Sequence, residues 1–366
     1  MSSLIFYITV FLIVFILVKL AVKHGIENID GKVKYKKIYY ILYGMAALVL
    51  ILVSGLRYYV GTDYISYINI FNEASMYSLD TMLSTRIEVG YVILNKLLAM
   101  IFTSPYVAIF VTSAIIVIFI FMGAHKLIKN KNNLPYSILI FMLTLYPQSF
   151  NMVRQAMAIA ICFYAYSFLF ERKPIKYILF ILLATSFHSS AILCLPLYFL
   201  YSKKSDKKKL RNIVLIIFLI VILNFNIIIW LFNNVSIFSK YLAYLDVQIG
   251  SINIVNLITV IPICLLLIIF YKALVAKDDR LGLLIYFIFY ATILSQFASY
   301  IMYFDRIALY FSVAAYIVYP SIIDISKNKE TKYVVKFVII GFYLYEFILK
   351  YYLWGFSDIF PYNSIL

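Results

Sequence analysis

Apolar runs about as long as a membrane is thick follow one another from end to end of this 366-residue chain, and no single motif constrains it as much. A helix rising about 1.5 Å per residue needs about 20 residues to cross the hydrocarbon core. Runs of that kind occupy Leu4–Leu20, Ile38–Leu56, Tyr106–His125, Leu134–Phe150, Met152–Phe170, Ile213–Phe232, Ile254–Tyr271, Leu281–Tyr300, Ile307–Ile325 and Val334–Tyr352. They predict an all-α, polytopic integral membrane protein with about ten transmembrane helices. Composition agrees: 65% of residues are hydrophobic and 13% charged, against about 45–50% and about 25% in soluble domains. That excludes a soluble enzyme, a disordered chain and a disulfide-stapled secreted fold. Leu4–Leu20 lacks a basic leader and a small-residue cleavage site, so it reads as a membrane anchor.

The net charge of +16 is explained by where the lysines lie. The linkers Lys19 to Lys37, Lys126 to Lys131, Arg172 to Lys176, Lys203 to Arg211, Lys272 to Arg280 and Lys327 to Lys336 are all basic, and ten crossings put them all on one side. By the positive-inside rule that side is the cytoplasm, with both termini outside. Lys96, Lys240 and Lys350 are the lysines that depart from the pattern. The basic excess is thus a topology signal with some attraction to anionic lipid, and nucleic acid is not an expected partner. Cys162, Cys194 and Cys264 stand singly in apolar runs and read as core thiols. No DxD, HxxxH, paired-cysteine or glycine-rich phosphate motif occurs, so neither a metal nor another cofactor is expected.

Two stretches break the regular scheme of a single polytopic domain, 1–366. Residues 175–200 have basic linkers at both ends but are too few for two crossings of about 20 residues. They predict a short re-entrant helical hairpin with His188 at its turn, in Thr185-Ser186-Phe187-His188-Ser189-Ser190. Such a turn at membrane depth must be buried in protein or line a wet cavity. Residues 57–104 form an extracytoplasmic loop, in which Glu88–Phe102 has the spacing of an amphipathic helix lying in the interface.

Of seven arginines, Arg172, Arg211 and Arg280 follow the lysines, whereas Arg57, Arg86, Arg154 and Arg306 do not. Arg57, Arg154 and Arg306 come from three distant stretches yet share one predicted depth, just inside the outer surface. Guanidinium groups match phosphate oxygens bidentately, so such a cluster suggests a diphosphate site. The plainer alternative is snorkelling, or pairing with Asp63, Asp305 or Glu88. Asp63 follows Gly61, which permits a sharp turn. It is either a carboxylate base at the outer mouth or the N-cap of a helix Tyr64–Phe71, and the local sequence favours the cap. His188 is either a hydrogen-bonded core histidine or a catalytic one.

The ordered set Arg57…Val60-Gly61-Thr62-Asp63-Tyr64…Tyr67, Glu88-Val89-Gly90-Tyr91, Val153-Arg154-Gln155-Ala156, Phe187-His188-Ser189-Ser190-Ala191, Arg306…Tyr310-Phe311 and Pro361-Tyr362 resembles the EpsG family of Wzy-like exopolysaccharide, O-antigen and capsule polymerases. The resemblance implies a GT-C-like glycosyltransferase in the bacterial plasma membrane, with its active site on the extracytoplasmic side. Its substrate would be an undecaprenyl-diphosphate-linked oligosaccharide, with membrane lipid around it and chain-length regulator and flippase proteins as candidate partners. Arg57, Arg154 and Arg306 would hold the diphosphate, and Asp63 or His188 would serve catalysis. Tyr64, Gln155 and Asp305 would contact substrate. A ligase-like enzyme making a single linkage would use the same arginines. A lipid-linked oligosaccharide flippase would instead need charged groups along a path through both leaflets.

Overall fold

The computed structural model describes residues 2–29, 32–201, 254–297, 304–326 and 328–365, and it is 81% helical. Among those residues, helices Ser3–Gly25, Lys37–Gly55, Tyr106–Leu127, Val153–Phe170 and Val260–Lys277 are long and apolar enough to cross a membrane. A sixth span results if Phe304–Ser312 and Ala315–Ile325 are one broken helix. The expected span Ile213–Phe232 and Lys240 lie outside the described residues. The chain divides into two compact units, Met1–Leu195 with Ala315–Leu366, and Pro196–Ala314.

In the first unit the helices are α1 (Ser2–Gly25), α2 (Lys37–Gly55), α3 (Tyr64–Met76), α4 (Leu79–Leu83), α5 (Val89–Ile101), α6 (Tyr106–Leu127), α7 (Leu134–Leu143), α8 (Leu145–Gln148), α9 (Val153–Phe170) and α10 (Pro174–Phe187). Ala315–Ile325 and Lys329–Phe347 complete it, the latter running into a π-helical turn Ile348–Leu353. Helix α9 is the centre: every residue in Gln155–Phe170 is buried. Its alanines at 156, 158, 160 and 165 give it the small surface that lets helices approach closely in a membrane, where packing must hold them together.

Two expectations need correction. The linker after α1 holds a two-stranded antiparallel ribbon, pairing Ile26 with Tyr35 and Glu27 with Lys34. The apolar run Leu134–Phe150 is not one helix. It stops at Leu143, passes through Thr144 (φ −122°, ψ −90°) and resumes as the single turn α8. Pro147 is the cause, because it has no N–H to give the carbonyl four residues back, at Leu143. The break is repaired by polar side chains: Tyr351 Oη donates to the Thr144 carbonyl (3.1 Å), and Thr144 Oγ1 lies 3.1 Å from Tyr316 Oη. Broken helices persist in apolar surroundings when their freed backbone groups find such partners.

Helix α5 matches the expected amphipathic segment within a residue at each end. It buries Tyr91, Val92 and Asn95 and exposes Val89, Ile93, Leu97 and Met100. Its lysine, one of the exceptions to the charge pattern, has a structural task. Lys96 Nζ donates to the carbonyls of Ala74 (2.7 Å) and Tyr77 (2.5 Å), where α3 ends. A cation there also meets the negative end of the helix dipole. Lys350, another exception, is neutralised by Glu346 at 2.5 Å, one turn away.

Candidate active site

The site lies at the end of the first unit that carries both Ser3 and the segment 358–365, and it begins where α2 runs out. The last carbonyls of a helix lack intrahelical donors. Here Val53 O accepts from Tyr362 Oη (3.0 Å), Leu56 O from the Ile365 N–H (2.9 Å), and Ser54 O from Arg57 Nη1. Arg57 therefore turns back onto its own helix. Its Nε also donates to Val60 O (3.2 Å), Nη1 to Ser113 Oγ (3.3 Å) and Nη2 to Phe150 O (3.3 Å). The Phe150 ring covers its face at 4.8 Å, with Tyr64 at 5.9 Å, and the residue is 1% exposed. Tyr64, expected to meet substrate, is itself buried in this enclosure, while Tyr58 and Tyr59 next to it are open.

The loop after Arg57 is sewn to the turn before α9. Gly61 sits at φ +102°, and a Cβ there would lie 2.6 Å from Phe150 O, so glycine alone permits the approach. Asn151 Oδ1 accepts from the Asp63 N–H (2.9 Å) and from the Thr62 hydroxyl. Tyr67 Oη donates to Asn151 O (2.8 Å) and accepts from the Val153 N–H (3.1 Å), so it caps the start of α9. Burial pushes the Tyr67 hydroxyl up to about 12, with Arg154 drawing it down and Asp63 pushing it up, which puts both charges within its field. Asp63 occupies the N-cap position of α3 without bonding it through its side chain, and it is exposed. The cap expected of its carboxylate is not made.

The chemistry concentrates on Glu88, the N-cap residue of α5, where basic side chains from two other helices meet it. Arg154, on the first turn of α9, places Nη1 on Glu88 Oε2. His188, which ends α10 in an extended conformation (φ −155°, ψ 119°), places Nδ1 3.1 Å from Glu88 Oε1. That last contact is close but poorly aligned for a hydrogen bond, and Nδ1 is otherwise enclosed. The three side chains are 16%, 30% and 23% exposed, so they sit at an opening. Burial raises the Glu88 carboxyl, but His188 and Arg154 outweigh it and hold the group down at about 2.

Gly90 makes this junction possible. A Cβ there would fall 2.8 Å from the Ser186 carbonyl oxygen and closer still to its hydroxyl, so α5 can seat against the end of α10 only because the position is bare. After His188 the chain folds back along α10 as a 3-10 stretch, Ser189–Cys194, and Tyr177 Oη donates to Cys194 O at 2.5 Å.

Of the residues singled out by sequence, the structure gathers Arg154 and His188 at one place, with Asp63 on the adjoining loop. Gln155 is buried beside Arg154 on α9. Asp305 and Arg306 belong to the second unit, on the first turn of Phe304–Ser312, the aspartate exposed and the arginine half-buried. Glu88 is the site residue that the sequence does not single out: locally it looks like the start of an amphipathic helix or an ion partner, although Glu88-Val89-Gly90-Tyr91 is among the motifs that carry the resemblance. Among the described residues, no group of three or more His, Cys, Asp or Glu side chains could hold a metal ion.

Neither the curated proteins nor the solved structures yield a match to this chain. The EpsG family model matches residues 40–364, which takes in the α2 terminus, the Glu88 junction, the Arg306 helix and the closing segment together. A match of that extent, over a helical membrane protein with all of these motifs in place, means that the chain belongs to the EpsG family and has a polysaccharide-polymerase-like role.

Proposed function

We propose that this protein joins undecaprenyl-diphosphate-linked oligosaccharide repeat units at the outer face of the bacterial plasma membrane. The observation that carries the reading is the meeting of Arg154 and His188 at a half-open junction in a chain of this family. The basic linkers put that end of the bundle outside. The growing glycan would be the donor, held through its lipid diphosphate, and a hydroxyl of the incoming unit the acceptor. Charge grows on the departing diphosphate, and a partly dehydrated guanidinium stabilises it. Arg154 has the exposure for that task. Arg57 is assigned to the scaffold, because its N–H groups are spent on backbone carbonyls and Ser113. Asp63 and His188 are the groups able to take the acceptor proton. The open apolar face of α5 would dip into the outer leaflet beside the junction, where the lipid tails of both substrates run.

The test is polymerisation in vesicles by purified protein and its undecaprenyl-linked repeat unit. Wild type should build a ladder of products. Arg154→Lys keeps the charge but loses the planar fork, and polymer yield should fall ~100-fold. A normal ladder from Arg154→Lys overturns the diphosphate grip. A wild-type product with one new linkage only would make the enzyme ligase-like.

A further inference from the structure

Glu88 is an unusual carboxylate: each of its oxygens faces a different basic side chain, Arg154 on α9 and His188 at the end of α10. Arg154 pins Oε2 and keeps the group ionised. Oε1 is thereby turned toward His188 Nδ1, the enclosed ring nitrogen, at 3.1 Å. The His188 side chain as a whole is 23% exposed. An ionised carboxylate can only accept hydrogen bonds, so its nearness favours the proton on the Nδ1 that faces it. The ring's lone pair is then left on Nε2. The bare Cα of Gly90 is what allows the carboxylate to come so near.

We infer that Glu88 is a positioning residue that fixes the His188 tautomer, and that His188 Nε2, rather than Asp63, accepts the proton of the attacking sugar hydroxyl. The inference rests on the glycosyl-transfer reading above. In the step, the acceptor oxygen bonds to the anomeric carbon while its proton passes to Nε2. The bond from that carbon to the diphosphate oxygen breaks, and the lipid diphosphate leaves with the electron pair. The imidazolium, stabilised by Glu88, then returns the proton to water. Arg154 connects both halves of the reaction, since the fork that meets the leaving group also aims the carboxylate behind the base. Asp63 sits on an exposed loop, held through its backbone N–H by Asn151.

Two measurements test this. In the vesicle assay, Glu88→Gln should lower kcat ~100-fold, the size of a general-base effect, with KM for the lipid-linked unit within about threefold of wild type. Glu88→Asp should restore part of the rate. Because Glu88 acts through the histidine, Glu88→Gln should cost less than about threefold when added to His188→Gln. A full ~100-fold loss in that background overturns the coupling. The second measurement needs no turnover: ring 15N spectra of histidine-labelled wild-type protein, with His188 identified by its loss in His188→Gln. The Nδ1–H tautomer is expected at neutral pH, and an Nε2–H tautomer overturns the dyad. A wild-type protein that shows the expected tautomer but never elongates a glycan overturns the functional reading instead.

Discussion

Arg57 and Arg154 sit at the same end of the first unit, on opposite sides of the turn 148–153, and they have been put to different uses. Arg57 is 1% exposed and speaks to carbonyls. Arg154 is 30% exposed and speaks to a carboxylate that a histidine also claims. A guanidinium that satisfies the open end of its own helix is a fastening, since the groups it donates to are backbone carbonyls and a buried hydroxyl that cannot leave. One paired with a side chain at an opening can also reach a second anion. The difference is one of partner chemistry and not of residue type, and it separates scaffold from site within a few turns of chain.

The largest effect should come from breaking the fastening. Arg57→Ala strips donors from Ser54, Val60 and Phe150 carbonyls, and an unsatisfied buried group costs about 1–3 kcal/mol. A loss of at least ~3 kcal/mol is expected, read as a collapse of the melting temperature in detergent, whereas Arg154→Ala should stay within ~1 kcal/mol of wild type. Equal losses for the two variants would erase the distinction. Next comes Gly90→Ala. Crowding the α5–α10 contact should destabilise by about 1–3 kcal/mol and pull Glu88 off Arg154 and His188, so turnover falls further than stability alone explains. Wild-type turnover in that variant would mean the junction is dispensable.

The smallest effect is a dependence on pH. Glu88 is held down at about 2 in the fold, against about 4.3 for a free glutamate. With the folded value depressed, the stabilisation is fully present above about 4.3 and is lost as pH falls toward the folded value. Melting curves of wild type and Glu88→Gln should therefore converge on acidification through that window. Parallel curves would show that the carboxylate is not clamped.

Much of the helical plan was legible because it depends on a local property, the length and polarity of runs. Arg154 and His188 could be singled out for the same reason: each sits where a run is interrupted. What escaped depends on partners distant in sequence. Nothing near Arg57 announces that its donors end on its own helix and on Phe150, so a carbonyl cap and a ligand site look alike. Glu88 looks like any polar residue opening an amphipathic helix until α9 and α10 are packed against it. The interruption at Thr144 is invisible to hydropathy, although Pro147 marks it. The ribbon pairing Ile26 with Tyr35 had a signal that went unread, Asp30-Gly31 between short alternating segments.

The segment 358–365 has a temporal meaning. Tyr58 N–H waits for Asn363 O, Gly61 N–H for Asp358 O, and Leu56 O for Ile365 N–H. Each of the three partners is made about 300 residues later than the group it answers. The stretch that carries Asp63 can be threaded well before its fasteners exist, so this end of the first unit closes long after its own residues have been made.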